Sequence, residues 1–198
     1  SAVVLRPETT EQVSKILSYC NENLLPIVPQ GGNTSLVGGS VPIKKEIVLL
    51  LTKMNKVLDF DATQGVLQCE AGMVLETAIN LVGKHGYDVP YDLGARGSCT
   101  IGGNVSTHAG GINFVKYGPL RGNVLGLEVV LPSGKILNMM NTARKDSTGP
   151  DLKQIFIQSE GTLGIITKVA LRCEASSPEK KLMFLDVTEY SHVLQVLN

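Results

Sequence analysis

From Gly94 to Gly111 the chain reads Gly-Ala-Arg-Gly-Ser-Cys-Thr-Ile-Gly-Gly-Asn-Val-Ser-Thr-His-Ala-Gly-Gly, and this stretch restricts what the rest can fold into more than any other. Six of the 21 glycines lie in it, and from Ser98 to Phe114 there is no Asp, Glu, Lys or Arg. A segment with so little side-chain bulk lets backbones approach closely and adopts positive φ, and successive N–H groups in such turns form concave nests that attract anions. A phosphate is the natural guest. The alternative is that paired glycines only make tight turns between strands. A second window, Gln30-Gly31-Gly32-Asn33-Thr34-Ser35-Leu36-Val37-Gly38-Gly39, repeats the composition and favours the ligand-holding reading.

The class of chain limits the partners. At 198 residues it is long enough for one large domain or two small ones with a real core. Eighteen Lys and Arg balance 18 Asp and Glu, aromatics are 5% and there is no Trp, so neither a nucleic acid nor an anionic membrane is an expected partner. The longest apolar run, Ile47 to Leu51, is too short to span a bilayer and reads as a buried strand. Four widely spaced cysteines, Cys20, Cys69, Cys99 and Cys173, form no C-x-x-C pair, which points to buried thiols in a reducing compartment. The chain opens directly on Ser1-Ala2-Val3-Val4-Leu5, read as a strand, and has the look of an excised piece.

Patterning along the chain predicts the elements. A strand at Val3 to Leu5, a helix from Thr9-Thr10-Glu11 with Val13, Ile16, Leu17 and Cys20 on one face, and a strand at Pro26 to Pro29 make a β-α-β unit, which delivers the Gln30 to Gly39 window at a strand's carboxyl end. Ile47 to Leu51 adds a third strand. A hairpin is expected from Val57–Asp61 and Val66–Ala71, a helix from Val74 to His85 with Gly86 as its stop, and a second hairpin from Leu125–Leu131 and Lys135–Met139. A short helix over Asp151 to Ile157 and a long strand over Gly164 to Cys173 flank a third glycine-bearing turn, Ser159 to Gly164. A polar linker, Ala175 to Lys180, precedes an expected strand at Lys181–Val187 and the start of a helix with Tyr190, Val193, Leu194 and Leu197 on its apolar face.

Several chemistries are excluded. No G-x-G-x-x-G occurs, Gly134-Lys135 is followed by Ile136 rather than Ser or Thr, and no G-x-S-x-G is present. The three histidines, His85, His108 and His192, make a poor metal set, and no metal ligand is assigned. His108 could line a cofactor cleft or be a solvated loop residue. Arg96 could meet a cofactor phosphate or be a surface charge, and Glu160 could orient a cofactor hydroxyl or cap its own turn.

Pro29 to Thr34, Gly97 to Gly111 and Gln158-Ser159-Glu160-Gly161-Thr162-Leu163-Gly164-Ile165-Ile166 resemble the three signature segments of the FAD-binding domain of the vanillyl-alcohol oxidase type, also called PCMH-type. Within that superfamily the chain is similar to the D-2-hydroxyglutarate dehydrogenase and D-lactate dehydrogenase branch, with further matches at Asp92 to Ala95, Gly126 to Leu131 and Arg144 to Lys153. The likeness runs from about Val4 to about Cys173, and three ordered motifs are far more specific than one.

The resemblance implies an α+β fold of two subdomains, a small β-α-β unit over residues 1–56 and a larger mixed or antiparallel sheet with helices over 57–174. Residues 175–198 would then be a linker and the start of a further substrate domain. FAD would lie in the cleft between the subdomains. Gln30, Gly31, Gly32, Asn33 and Thr34 would hold its pyrophosphate. Gly94, Ser98, Ile101, Gly102, Gly103, Asn104, Thr107, His108, Gly110 and Gly111 would continue the cradle, and Glu160, Gly161, Gly164, Ile165 and Ile166 would meet the cofactor from the third segment. Some relatives attach flavin covalently through a histidine after the paired glycines; here Asn33 stands there, so a noncovalent flavin is expected. Related enzymes oxidise a D-2-hydroxy acid to the 2-oxo acid, D-2-hydroxyglutarate first among the substrates and D-lactate or glycolate as alternatives, and pass electrons to a flavoprotein, a cytochrome or a 2-oxo acid. In that branch a divalent metal and the catalytic residues belong to the following domain, so no catalytic residue is assigned. The mitochondrial matrix is the expected location in a eukaryote and the cytoplasm otherwise, and the oligomer stays open, a homodimer included. A reading of another class is a noncatalytic scaffold or interaction module that keeps this fold.

Overall fold

The structure, a computed structural model, describes residues 3–179 and 181–197; Ser1 and Ala2 of the expected first strand, Lys180 of the linker and Asn198 lie outside them. In chain order the elements are β1 (Val4–Leu5), α1 (Thr10–Glu22), β2 (Ile27–Gln30), β3 (Ile47–Leu50), β4 (Val57–Asp61), β5 (Val66–Glu70), α2 (Leu75–Gly83), β6 (Tyr87–Asp88), α3 (Ile101–Thr107), α4 (Phe114–Tyr117), β7 (Val124–Val130), β8 (Ile136–Met139), β9 (Ile165–Arg172), β10 (Glu174–Ala175) and α5 (Tyr190–Leu197).

Helix α1 starts where Thr9 Oγ1 accepts the Gln12 N–H at 3.2 Å, carries Glu11 in its first turn and stops at Asn23, whose side-chain amide donates to the Tyr19 carbonyl at 2.8 Å. Its buried face is Thr10, Val13, Leu17 and Cys20, spaced three or four apart, and burying Val13 or Leu17 contributes about 2 kcal/mol each. The helix carries the chain from β1 to β2, and both strands pair in parallel with β3, which sits in the middle of the sheet order β1-β3-β2. A second, antiparallel sheet has the order β4-β5-β9-β7-β8. Its central strands β5, β7 and β9 are buried almost continuously, because α2 and α3 cover one face while α1 reaches the other. The chain is thus mixed α+β with both parallel and antiparallel pairing.

The two sheets share a core. Val13 and Leu17 of α1 and Leu49 of β3 pack with Val130 of β7 and Ile165 of β9. Above this seam sits one buried carboxylate. Glu128 of β7 is 6% exposed; its Oε1 accepts from Thr10 Oγ1 at 2.6 Å and from Thr167 Oγ1 at 2.9 Å, and its Oε2 meets Lys168 Nζ at 3.1 Å. A carboxylate withdrawn from water is tolerated only when its lone pairs are filled, and here the start of α1 supplies one of the donors.

Three expectations are corrected. Residues 151–157 make no regular helix but a single 3-10 turn at Leu152–Ile155, which fits a segment that buries only Phe156 and Ile157. No strand forms over 181–187: this segment pairs with no strand among the described residues, and Leu182, Met183 and Phe184 stay exposed. The third concerns the Gly94–Gly111 stretch, which holds the seven-residue helix α3. Strand β10, which ends on the first residue of the expected linker, Ala175, pairs antiparallel with β6. All four cysteines are free and buried, as expected, and burial pushes the Cys69 and Cys173 thiols up to about 12.

Glu128→Ala removes the carboxylate that Thr10, Thr167 and Lys168 donate to, leaving Thr167 only the backbone carbonyl of residue 128, and is expected to lower unfolding stability by about 2 kcal/mol, read from the urea midpoint. Because the thiolate is the reactive form, a thiol-exchange reagent at neutral pH should label none of the four cysteines until denaturant is added. Rapid labelling of the native chain would contradict their placement.

Candidate functional site

Strand β2 ends at Gln30, and the next residues cross against the segment before α3 at backbone distance. A Cβ on Gly32 would overlap the Ser98 carbonyl oxygen, with the Ser98 carbonyl carbon at 2.7 Å and Cys99 Cα at 3.0 Å. No rotamer change relieves a collision with backbone, so the two segments meet only because position 32 lacks a side chain. Gly31 likewise faces Thr100 Oγ1. The side chains of the loop are turned to its own closure: Gln30 Nε2 donates to the Ser40 carbonyl at 2.7 Å, and Ser40 Oγ meets Asn33 Oδ1 at 2.8 Å. Asn33 takes the left-handed conformation at φ 52°, which Asn tolerates better than most residues. Among the described residues the N–H groups of Gly31, Gly32, Asn33 and Thr34 find no protein acceptor.

The opposite holds at α3. The Ile101 N–H donates to the Met73 carbonyl at 2.8 Å and the Gly102 N–H to the Ala71 carbonyl at 2.7 Å, while the first N–H groups of α2, at Leu75 and Glu76, donate to the carbonyls of Cys99 and Arg96 at 3.0 Å each. The two helix starts cap one another through backbone. The Gly103 N–H turns back to Thr100 Oγ1 at 3.4 Å. The anion nest expected from the glycine stretch is therefore largely consumed inside the protein, and the free donors belong to the Gly31–Thr34 loop.

Between these segments opens a cavity of about 380 Å³. Gln30, Gly31, Gly32, Asn33 and Thr34 line it from one side, and Gly94, Gly102, Gly103, Asn104 and Thr107 from another. Glu160, Gly161, Gly164, Ile165 and Ile166 complete the wall. The remaining candidates lie elsewhere. Ile101 is fully buried in the core. Ser98 contributes the carbonyl against Gly32, and His108 sits at the left-handed C-cap of α3. Gly110 and Gly111 form a turn in which Gly111, at φ +84°, packs against the Asp92 carbonyl. Arg96 is a surface charge, half exposed and paired with Asp92 at 3.1 Å and Glu76 at 3.8 Å.

Pattern reading missed part of the lining. Ser35, Gly39 and Ser40 carried a signal, since they belong to the first glycine window or adjoin it. Leu51, Ala71 and Leu93 carried none, because an apolar residue beside a cavity has the same sequence signature as one in a core.

The donor set decides what the cavity can hold. Glu160 is the one charged residue of its lining, so an anion there would be met by uncharged backbone N–H groups, as phosphates are in nests. Leu51, Leu93, Ile165 and Ile166 offer apolar walls to a flat ring system. A long ligand with a phosphate-bearing middle and aromatic ends fits this chemistry. Among the described residues no group of His, Cys, Asp and Glu could hold a metal ion, and no helix is long and apolar enough to cross a membrane.

Comparison with known proteins agrees with this geometry. Residues 1–140 match the sequence profile of a family described as FAD binding domain. A mitochondrial D-2-hydroxyglutarate dehydrogenase of Danio rerio is 54% identical over 195 residues, which are 98% of this chain and 37% of that protein. The D-2-hydroxyglutarate–pyruvate transhydrogenase DLD3 of Saccharomyces cerevisiae is 50% identical over 193 residues, 98% of this chain and 39% of its own length. Among solved structures, an alkyldihydroxyacetonephosphate synthase superposes with a TM-score of 0.77 at 27% identity, over 87% of this chain and 31% of that one. The chain spans between a third and two fifths of the length of these curated relatives.

Gly32→Ala is expected to destabilise the fold by about 2 kcal/mol through backbone overlap. Gly94→Ala, whose Cβ would find nothing within 4 Å, is expected to stay within about 0.5 kcal/mol of the unmodified chain in the same urea titration.

Proposed function

The chain belongs to the FAD binding domain family, and from that premise we propose that it is the FAD-holding part of a flavin-dependent D-2-hydroxy-acid dehydrogenase, with D-2-hydroxyglutarate as the substrate and 2-oxoglutarate as the product. The observation that carries the reading is the run of unpartnered N–H groups from Gly31 to Thr34, facing a cavity without lysine or arginine. Backbone donors of this kind suit a pyrophosphate, whose oxygens accept several bonds at once. When bound, FAD supplies the two-electron acceptor that a 2-hydroxy acid needs in becoming a 2-oxo acid.

The chain's own residues have a binding and orienting task. The Gly31–Thr34 N–H groups would receive the phosphate oxygens, with Gln30 and Asn33 holding the loop in shape through their contacts with Ser40. Gly102, Gly103, Asn104 and Thr107, which line another side of the cavity, would hold the part of the cofactor beyond the pyrophosphate. Leu93, Ile165 and Ile166 exclude water from the ring systems, and the Glu160 carboxylate, an acceptor only, favours a ligand hydroxyl and repels a further phosphate. No histidine lines the cavity, which supports a noncovalent flavin. Residues 1–56 and 57–174 serve as the two FAD-binding subdomains, and 175–198 as the passage to a substrate domain. That domain would hold the divalent metal and the residues that act on the hydroxy acid. The names of the relatives support a mitochondrial location and, through the pyruvate that one of them names, a 2-oxo acid as the final electron acceptor.

The test is an absorption spectrum of the chain after incubation with FAD and desalting, followed by acid precipitation. A flavin spectrum retained on the native chain and released into the acid supernatant is the expected result. Yellow colour left in the washed precipitate would overturn the noncovalent assignment. Absence of retained flavin, both here and in a protein extended through the following domain, would favour the scaffold reading. In that extended protein, turnover of D-2-hydroxyglutarate should exceed that of D-lactate.

A further inference from the structure

Three non-glycine residues in the left-handed conformation converge on one helix end. His108 caps α3 at φ 53°, and Gln158 and Glu160 stand at φ 70° and 51° in the turn before β9. The Gln158 N–H donates to the Val105 carbonyl at 3.2 Å and the Glu160 N–H to the Ser106 carbonyl at 2.9 Å. Both acceptors are last-turn carbonyls; Val105 also takes the His108 cap N–H at 3.1 Å, while no N–H of the helix reaches Ser106. A side-chain residue keeps a left-handed backbone only when its surroundings hold it there.

The holding groups are polar and sit behind the segment. Arg121 Nη2 donates to Gln158 Oε1 at 3.3 Å. His108 Nε2 and Arg121 Nε are shielded from solvent and have no hydrogen-bond partner among the described residues. In front, Glu160 lines the cavity, and its Oε2 lies where a Cβ on Gly39 would meet it at 3.0 Å, so the carboxylate reaches the loop that follows the free N–H groups.

We propose that His108, Arg121 and Gln158 are positioning residues that pin the Gln158–Glu160 segment to the end of α3, and thereby fix the Glu160 carboxylate at the cavity wall against Gly39. The inference concerns the wall itself and depends on the FAD reading only for the identity of the ligand. It has a pH signature. Burial first, and the Arg121 guanidinium second, hold the His108 imidazole below its ordinary value, with Gln158 opposing them. Arg121 is the charged group that acts on the ring. A base whose folded value is depressed stabilises its arrangement fully above the ordinary value of about 6.5, and the stabilisation is lost as pH falls from there through the depressed value. Protonation places two cations behind the segment and loosens it.

Hydrogen exchange on the chain, followed at the Gln158 and Glu160 amides from pH 5 to 8 and corrected for intrinsic rates, reads this directly. Protection should be level above about pH 6.5 and fall below it, by about tenfold for each unit of depression. His108→Asn keeps a residue suited to the left-handed cap and should make the profile flat. Arg121→Met should lower protection across the whole range, and Gln158→Gly, which keeps the backbone and removes the anchor, should do the same. The proposal is overturned if His108→Asn retains the pH-dependent loss, or if Gln158→Gly leaves both amides as protected as in the unmodified chain. Titration with FAD at pH 8 keeps the two ideas apart: the expected exchange pattern, with no FAD bound either by this chain or by the protein extended through the following domain, would sustain the positioning cluster and refute the cofactor reading.

Discussion

The structure depends on a place where two stretches of backbone touch without side chains between them. Gly31 and Gly32 lie against Ser98 to Thr100, close enough that a methyl group on Gly32 has nowhere to go. Strand β2 can deliver its loop to this point only because α1 fixes the parallel sheet on the antiparallel one, and α1 is held there by a shared apolar seam and by the Glu128 carboxylate beneath its first turn. Packing and polar satisfaction thus act on the same joint. The apolar seam supplies the larger and non-directional part, while the carboxylate sets how the helix start sits on β7.

From that joint the distribution of free and filled hydrogen-bonding groups follows. Where glycines let backbones interlock, as between the starts of α2 and α3, N–H groups are spent on carbonyls and the result is rigidity. Where the glycines instead bend a loop whose side chains close on themselves, as from Gln30 to Ser40, the N–H groups of Gly31 to Thr34 are left without a protein acceptor beside the cavity. Two sequence windows of nearly the same composition therefore have different physical uses. One builds the wall and the other presents donors to what the wall encloses.

The polar network at the far side shows how a cavity wall can be held by groups that never line it. His108, Arg121 and Gln158 lie behind Glu160, on the cap of α3, the turn before β7 and the turn before β9 respectively. Such support is invisible to a search for residues that face a ligand. It is found by asking which buried polar atoms and which left-handed residues lack a local reason.

Much of this was legible in the sequence for definite reasons. The amphipathic spacing of Val13, Leu17 and Cys20, the β-branched runs of β7 and β9, and the glycine windows are local properties that no tertiary context had to supply, and they located the elements and most of the cavity lining. The motifs also pointed to the right family, because three ordered segments together are improbable by chance. What only the tertiary structure decided was pairing and the fate of individual donors. β3 lies between β1 and β2, the Gly94–Gly111 stretch contains a helix, Gly111 serves Asp92 rather than the cavity, and Leu51 and Ala71 meet the cavity from just past the ends of β3 and β5. The physical reason is the same in each case. A glycine or an apolar side chain announces that something will come close, and only the folded chain determines what.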